Sequence, residues 1–364
     1  MPRDRFKEIM KYLRFDVRSE RSTRIITDKF ALISQVWNRF IDNCISCYKP
    51  GENVTIDEQL FATKVRCPFI QYMANKPDKF GIKFWLCVDV KSKYLLNAYP
   101  YLGKDETRPQ SLGQHIVMHL MEPFLNKGRN VTTDNFFTSV SLAQNLLSKR
   151  TTLVGTINKG GPDIPSYVKN LTLDLYDTKA LKTENDQCLL TVYQTKRSKN
   201  VLLLSTLHDS VHIHSGDVKK KPETVMFYNS TKNSVAVVDQ MARRYSTRAP
   251  SRRWPVQVFY NILDLSAINA WVLYQEINNK KIRRREFILR LAVELSNILE
   301  EPTREETSLQ RSIALEMPAT ELRKRRNCYQ THCKNKTNKV CDLCKKPLCG
   351  RCNLSKIFIC HNCK

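Results

Sequence analysis

Apolar residues return along this chain with two different periods, and the change of period divides it. Phe6, Ile9, Met10 and Leu13 recur at i, i+3, i+4 and i+7, and Phe30, Ile33, Val36, Trp37, Phe40 and Ile41 repeat that stripe after Asp28, a residue suited to an N-cap. Two amphipathic helices are therefore predicted in the first fifty residues. From Val54 the period drops to two. VTIDEQLF, RCPFIQYMANKPDKFGIKFW and LCVDV read as three β runs separated by a basic, Pro-punctuated turn. Asp57 falls inside the first run, where its neighbours are set to be buried, so its carboxylate needs a partner or a cation.

YLLNAYPYL then reads as a strand, Leu112 to Phe124 as a helix, NVTTD as a strand ending in Asp134, Ser139 to Leu147 as a helix, and TLVGTI as a strand. Three antiparallel strands followed by helix, strand, helix, strand is the order of an RNase H-like α/β fold. In that order the ends of the first and fourth strands lie side by side, which brings Asp57 and Asp134 together. Two acids at strand ends amid basic sequence suggest a metal site facing a phosphate backbone. From GGPDIP to DVKKKPE the strand-like pieces CLLTVYQTK, NVLLLSTL and VHIHSG suggest an inserted β-rich module. His212 and His214 alternate with apolar residues there and fit an ordinary strand better than a ligand pair. TVMFYNS reads as a last strand and NSVAVVDQMARRYS as a helix. Beyond Arg252, VFYNILDLSAINAWVLYQEIN and REFILRLAVELSNIL carry broad apolar stripes that would pack with the N-terminal helices.

The expected organisation is a helical domain split between 1–53 and 246–300, an α/β domain split between 54–159 and 224–245, an insertion at 160–223, a linker at 301–326 and a Cys-rich module at 327–364. Charge adds the partner. With 60 Lys and Arg against 35 Asp and Glu over 364 residues, the net charge is +25 and the pI about 9.6, a field that favours nucleic acid. An anionic membrane is disfavoured, because no uncharged apolar run approaches the ~20 residues of a span, and the charged start MPRDRFKEIMKYLRFD carries no signal peptide.

Eight of the 13 cysteines fall between Cys328 and Cys363, which points to metal rather than disulfides and to a reducing compartment. Thiolates at C-x2-C spacing reach a common tetrahedral Zn²⁺, and so short a segment needs such a staple to fold. Eight ligands make two sites. In an alternating, cross-brace arrangement Cys328, Cys333, Cys349 and Cys352 hold one ion and Cys341, Cys344, Cys360 and Cys363 the other; pairing by halves is the alternative. His332 and His361 read as surface residues. Basic runs from Lys280 to Glu286 and from Arg323 to Arg326 suit nuclear import. Arg66, Lys76, Lys79 and Lys83 near Asp57, and Arg252, Arg253 and Trp254, are candidate DNA contacts, Trp254 fitting a core anchor equally well.

The strings TIDEQLF, RCPF, NKPDKFGIK, YLLNAYPYLG, TTDNFFTS, VGTI, FYNSTK, VDQM and RRWP resemble the piggyBac transposases and their domesticated derivatives over essentially the whole chain. The resemblance implies an RNase H-like catalytic domain with a β-rich insertion, a split helical dimerisation and DNA-binding domain, and a C-terminal cross-brace zinc finger. It further implies three aspartates holding two Mg²⁺ ions for cut-and-paste transposition at TTAA. Asp57 and Asp134 match the first two. At the third position this chain has Ala236, followed by Asp239, which on a helix is displaced by ~4.5 Å along the axis.

The resemblance also implies an acidic leader and more helices before the Arg3-Asp4-Arg5-Phe6 motif, so the helical domain and its dimer are expected to be incomplete. The expected function is DNA binding with impaired strand cleavage. The alternatives are an active transposase using Asp57, Asp134 and Asp239, and a protein-interaction module carrying a relic catalytic domain.

Overall fold

A computed structural model describes residues 2–103, 111–183, 187–213, 216, 218–297, 326–330, 333–341 and 344–353. His214, residues 301–325, His332, Cys360, His361 and Cys363 lie outside the described residues. Met1–Ala292 forms one compact unit and Val293–Lys364 a second. The elements run α1 (Arg3–Tyr12), α2 (Arg21–Thr27), α3 (Ser34–Ser46), β1 (Asn53–Ala62), β2 (Ile70–Tyr72), β3 (Phe80–Asp89), β4 (Leu95–Pro100), α4 (Leu112–Met121), β5 (Asn130–Thr133), α5 (Val140–Ser148), β6 (Thr152–Thr156) and α6 (Ser166–Lys169). They continue with β7 (Thr178–Lys182), β8 (Leu189–Lys196), β9 (Lys199–Ser205), α7 (Glu223–Thr231), α8 (Ser234–Arg244), α9 (Trp254–Asn278), α10 (Arg284–Asn297), β10 (Arg326–Asn327) and β11 (Lys336–Thr337).

The larger unit is built on a mixed sheet in the order β2-β3-β1-β5-β6-β9-β8-β7, with β4 also paired to β3. β3 runs antiparallel to β1 and β4, whereas β1, β5 and β6 are mutually parallel. In the β1–β5 register Ile56 faces Thr133, so the next residues, Asp57 within β1 and Asp134 just past the end of β5, stand at the same level. Alternation then sorts the core to two faces. Val54, Ile56, Trp85 and Cys87 meet Ile116 and Leu120 of α4 and Leu142 and Leu146 of α5. Phe84, Leu86 and Val88 meet Trp37 and Phe40 of α3, Val238 of α8 and Val258, Ile262 and Leu265 of α9.

Several expectations are corrected. The strands assigned to an inserted module extend the same sheet, because β9 pairs antiparallel with β6 and carries β8 and β7 outward. Of VHIH, Ile213 makes only an isolated bridge to Pro222. TVMFYNS is helical, within α7: Thr224, Tyr228 and Thr231 fall on one helical face, and Pro222 supplies the entry. Asp28 does not cap α3, which starts at Ser34. It closes a turn instead, its Oδ1 accepting the Phe30 N–H at 2.7 Å, while Phe30, Ala31 and Ile33 drop into the core.

The helices from the two ends of the chain do meet, but against the sheet face rather than as a separate all-α body. α9 is long and apolar enough to cross a bilayer by length and composition, but Asp264 interrupts it, so no uncharged run of that length is present in it. Its window is 61 % buried inside the chain, where Asn269 mimics a strand partner: its side chain accepts the Leu95 N–H at 2.8 Å and donates to the Leu95 carbonyl at 2.9 Å.

Candidate metal and nucleic-acid site

β5 ends at Thr133, so beyond Ile56 the β1 edge is uncovered, and the chain turns at Asp134. Threonines close that turn. Thr138 donates to the Asp134 carbonyl at 2.8 Å and lies 2.7 Å from the Thr133 hydroxyl, while Phe136 N–H donates to Asp134 Oδ1 at 3.0 Å. Gly155 of β6 lies beneath the turn, where a Cβ would come within 2.2 Å of Thr138 Oγ1. At the open edge the carboxylates of Asp57, Glu58 and Asp134 converge, with one oxygen of each within 4.8 Å of the others.

Glu58 did not stand out from the sequence, because period-two alternation assigns it to the face opposite Asp57. Burial, reinforced by the charge of Glu58, pushes the Asp57 carboxyl up to about 8. Burial also raises Asp134. At Glu58 burial acts upward, but the hydrogen bond with Asp57 and the ammonium groups of Lys76 and Lys83 prevail and hold it below its ordinary value. Crowded carboxylates that resist ionising together are relieved by a divalent cation, and hard oxygen donors suit Mg²⁺.

The α7–α8 corner is pinned above this edge. Thr55 of β1 donates to the Thr231 carbonyl at 2.7 Å, and Thr132 of β5 donates to the Thr231 hydroxyl at 2.8 Å. Further along, Gln59 donates to Asp239 Oδ1 at 3.1 Å. Since Thr55 meets Thr231 and Gln59 meets Asp239, Asp57 between them is level with the first turn of α8, which carries Ala236. Asp239 is engaged elsewhere, its Oδ2 lying 3.0 Å from Arg243, which also pairs with Asp78. The structure therefore does not bring Asp239 into the Asp57, Glu58 and Asp134 group.

The basic candidates separate. Lys76 bonds Glu58 through both its carboxylate, at 3.3 Å, and its carbonyl, at 3.1 Å. Lys83 lies 5.3 Å from the Trp85 ring and 5.1 Å from the Phe136 ring, and burial lowers its pKa. These two are counter-ions of the acids. Lys79 is exposed in the β2–β3 turn at φ 56°. Arg66, Arg252, Arg253 and Trp254 share a different cleft. Trp254 is a core anchor rather than an exposed platform, 8 % accessible, stacked on Phe30 at 5.7 Å and edge-on to Phe69 at 5.0 Å. Arg253 reaches back to the carbonyls of Met10 and Leu13 and ties α1 to α9.

In the second unit the sulfurs of Cys328, Cys333, Cys349 and Cys352 lie within 4.8 Å of one another. This is the alternating set; the pairing by halves does not describe it. Cys333 and Cys349 are 3.6 Å apart, close to the ~3.8 Å edge of a tetrahedron with ~2.3 Å Zn–S bonds. A hydrogen bond from Asn335 draws the Cys349 thiol down to about 6, favouring the thiolate that binds metal. Cys341 and Cys344 are described, whereas their expected companions Cys360 and Cys363 are outside the described residues.

A family profile described as Transposase IS4 matches residues 1–271. The human PiggyBac transposable element-derived protein 3 is 24 % identical over 310 residues, covering 79 % of this chain and 50 % of the relative. The human Chimeric ERCC6-PGBD3 protein is 24 % identical over 310 residues, of which the chain covers 28 %. The chain thus spans half the length or less of these relatives. A solved structure, the cryo-EM structure of a piggyBac transposase synaptic complex with hairpin DNA, is 33 % identical with a TM-score of 0.77, covering 100 % of this chain and 80 % of that one. The order of elements, the adjacent acids of β1 and the β5 end, and these matches agree: the chain belongs to the piggyBac family of transposases and transposable element-derived proteins.

Proposed function

We propose that this chain is a transposase-derived DNA-binding protein whose RNase H-like centre no longer cleaves strands. The observation that carries the reading is the first turn of α8, where Ala236 stands level with Asp57 while Asp239 is tied to Gln59 and Arg243. Two-metal phosphoryl transfer needs carboxylates on both sides of two cations ~3.5–4 Å apart. Asp57, Glu58 and Asp134 would hold one Mg²⁺, whose chemistry is to polarise a phosphate oxygen and activate a hydroxyl. Cys328, Cys333, Cys349 and Cys352 would hold a structural Zn²⁺. The partner is duplex DNA and the compartment the nucleus, readings supported by the +25 charge and by the DNA in the related complex.

The test is excision of a TTAA-flanked reporter by the wild type beside Ala236→Asp. No excision by the wild type and recovery by the variant are expected; efficient excision by the wild type would sink the reading. One observation favours a second reading, an active enzyme in which Glu58 replaces the missing acid: its carboxylate already adjoins Asp57 and Asp134. Wild-type excision abolished by Glu58→Gln would favour it.

A further inference from the structure

We propose that the outer face of α4 binds a divalent transition-metal ion, with His115, His119 and Glu122 as its ligands. Two imidazoles and one carboxylate suit the Zn²⁺, Ni²⁺ and Cu²⁺ class, whereas the all-oxygen set at Asp57 suits Mg²⁺. The site is therefore separate, in place and in chemistry, from the acids of β1 and from the cysteines. Within HIVMHLME, Ile116, Val117, Leu120 and Met121 are buried against the sheet, which leaves His115, His119 and Glu122 exposed on the other side.

Spacing puts the three together. Side chains three or four residues apart are neighbours on a helix, and here His119 follows His115 by four and Glu122 follows His119 by three. Glu122 closes α4 yet keeps helical backbone angles, φ −44° and ψ −47°, so all three lie within ~60° of one another around the axis. The two imidazole rings stand 6.5 Å apart between centroids and 8° from parallel. The three groups are not gathered to within 4.8 Å as the cysteines are, and rotation of these exposed side chains brings them together without moving the backbone.

Two neighbours prepare the site. Tyr99 of β4 stands edge-on to the His119 ring at 4.9 Å and limits its orientation. A cavity of about 370 Å³ beside His119 is lined by Asp28 and Asp42 and by no lysine or arginine. In a chain of net charge +25, that lining gives a cation a locally favourable field. A bound ion clamps the last turn of α4, whose opposite face packs through Ile116 and Leu120 on Val54 and Ile56 of β1, the strand that carries Asp57.

The full chain, its cysteines loaded with Zn²⁺ and Mg²⁺ in excess, is titrated with Ni²⁺ by calorimetry beside His115→Gln, His115→Gln/His119→Gln and Glu122→Gln. The wild type is expected to take up one Ni²⁺ with its Zn²⁺ content unchanged. Either histidine variant is expected to bind about tenfold more weakly or worse, and Glu122→Gln to bind measurably more weakly, at an unchanged melting temperature in the absence of Ni²⁺. His115→Gln decides the matter if the double variant is unstable, because His115 is exposed and touches little beyond His119. Equal Ni²⁺ affinity in the wild type and the histidine variants, or no uptake by the wild type, would overturn the site. Release of Zn²⁺ in step with Ni²⁺ uptake would place the ion on the cysteines and overturn it equally. Full affinity in Glu122→Gln would overturn the assignment of three ligands.

Discussion

Tyr260 and His208 show how single side chains report on their surroundings. The Tyr260 hydroxyl is buried with no partner among the described residues, so Tyr260→Phe removes a desolvated group while keeping the ring. That change is expected to stabilise the free protein by about 1 kcal/mol, measured by denaturant unfolding. His208 is edge-on to Phe227 at 5.3 Å, and its Nδ1 lies 2.8 Å from Ser205 Oγ. Ser205 Oγ already accepts the N–H groups of Leu207 and His208, which leaves its own proton available to donate to a neutral ring's Nδ1.

Burial pulls the His208 pKa below its ordinary 6.5, only partly opposed by Glu223 and Asp209. A depressed folded-state value means stability that is present above 6.5 and lost as pH falls through the folded pKa. Acidification below about pH 6.5 is therefore expected to lower the melting temperature of the wild type relative to that of His208→Gln; the raised Asp57 carboxyl acts with the opposite sign in both proteins, so the difference between them is the readout.

At the scale of elements, the α7–α8 corner decides where the first turn of α8 sits. Thr231 accepts from β1 through its carbonyl and from β5 through its hydroxyl, so Thr231→Val breaks the second of these and strands the Thr132 hydroxyl. A loss of about 1–3 kcal/mol is expected in chemical denaturation. An Ala236→Asp/Thr231→Val double variant is then expected to recover less excision than Ala236→Asp alone.

This corner also shows why some elements escaped the sequence. TVMFYNS is short and rich in β-branched and aromatic residues, so its local preference is for strand; contacts of Thr224, Val225 and Thr231 with the sheet hold it helical. Adjacency of Asp57 and Asp134 was legible because burial of Val54, Ile56 and Val131 fixes the parallel register. Glu58 was not, since only the early end of β5 lets two successive side chains turn around one open edge.

For the whole molecule, the two units are expected to respond differently to chelation. A segment whose buried core among the described residues is Cys328, Cys341, Leu348 and Cys349 shows there little apolar surface with which to fold without metal. Removing Zn²⁺ with a strong chelator is expected to abolish protection of the amides around Cys328–Cys352 in hydrogen exchange, while the sheet of the larger unit stays protected. Retained protection after verified metal loss would contradict a structural zinc.

The sequence by itself determined the periodicities, hence most helices and strands, the strand order that pairs Asp57 with Asp134, the alanine at position 236 where the resemblance implies an acid, and the surplus of positive charge. These follow from local preference and from which side chains must leave water. Tertiary structure alone decided that the outer strands join one sheet, that α7 is a helix, that Glu58 reaches the acids and that Arg14, Arg66 and Arg252 converge on one cleft. Each depends on where strands end and which distant carbonyl a side chain reaches, and those contacts between remote segments leave no period in the chain.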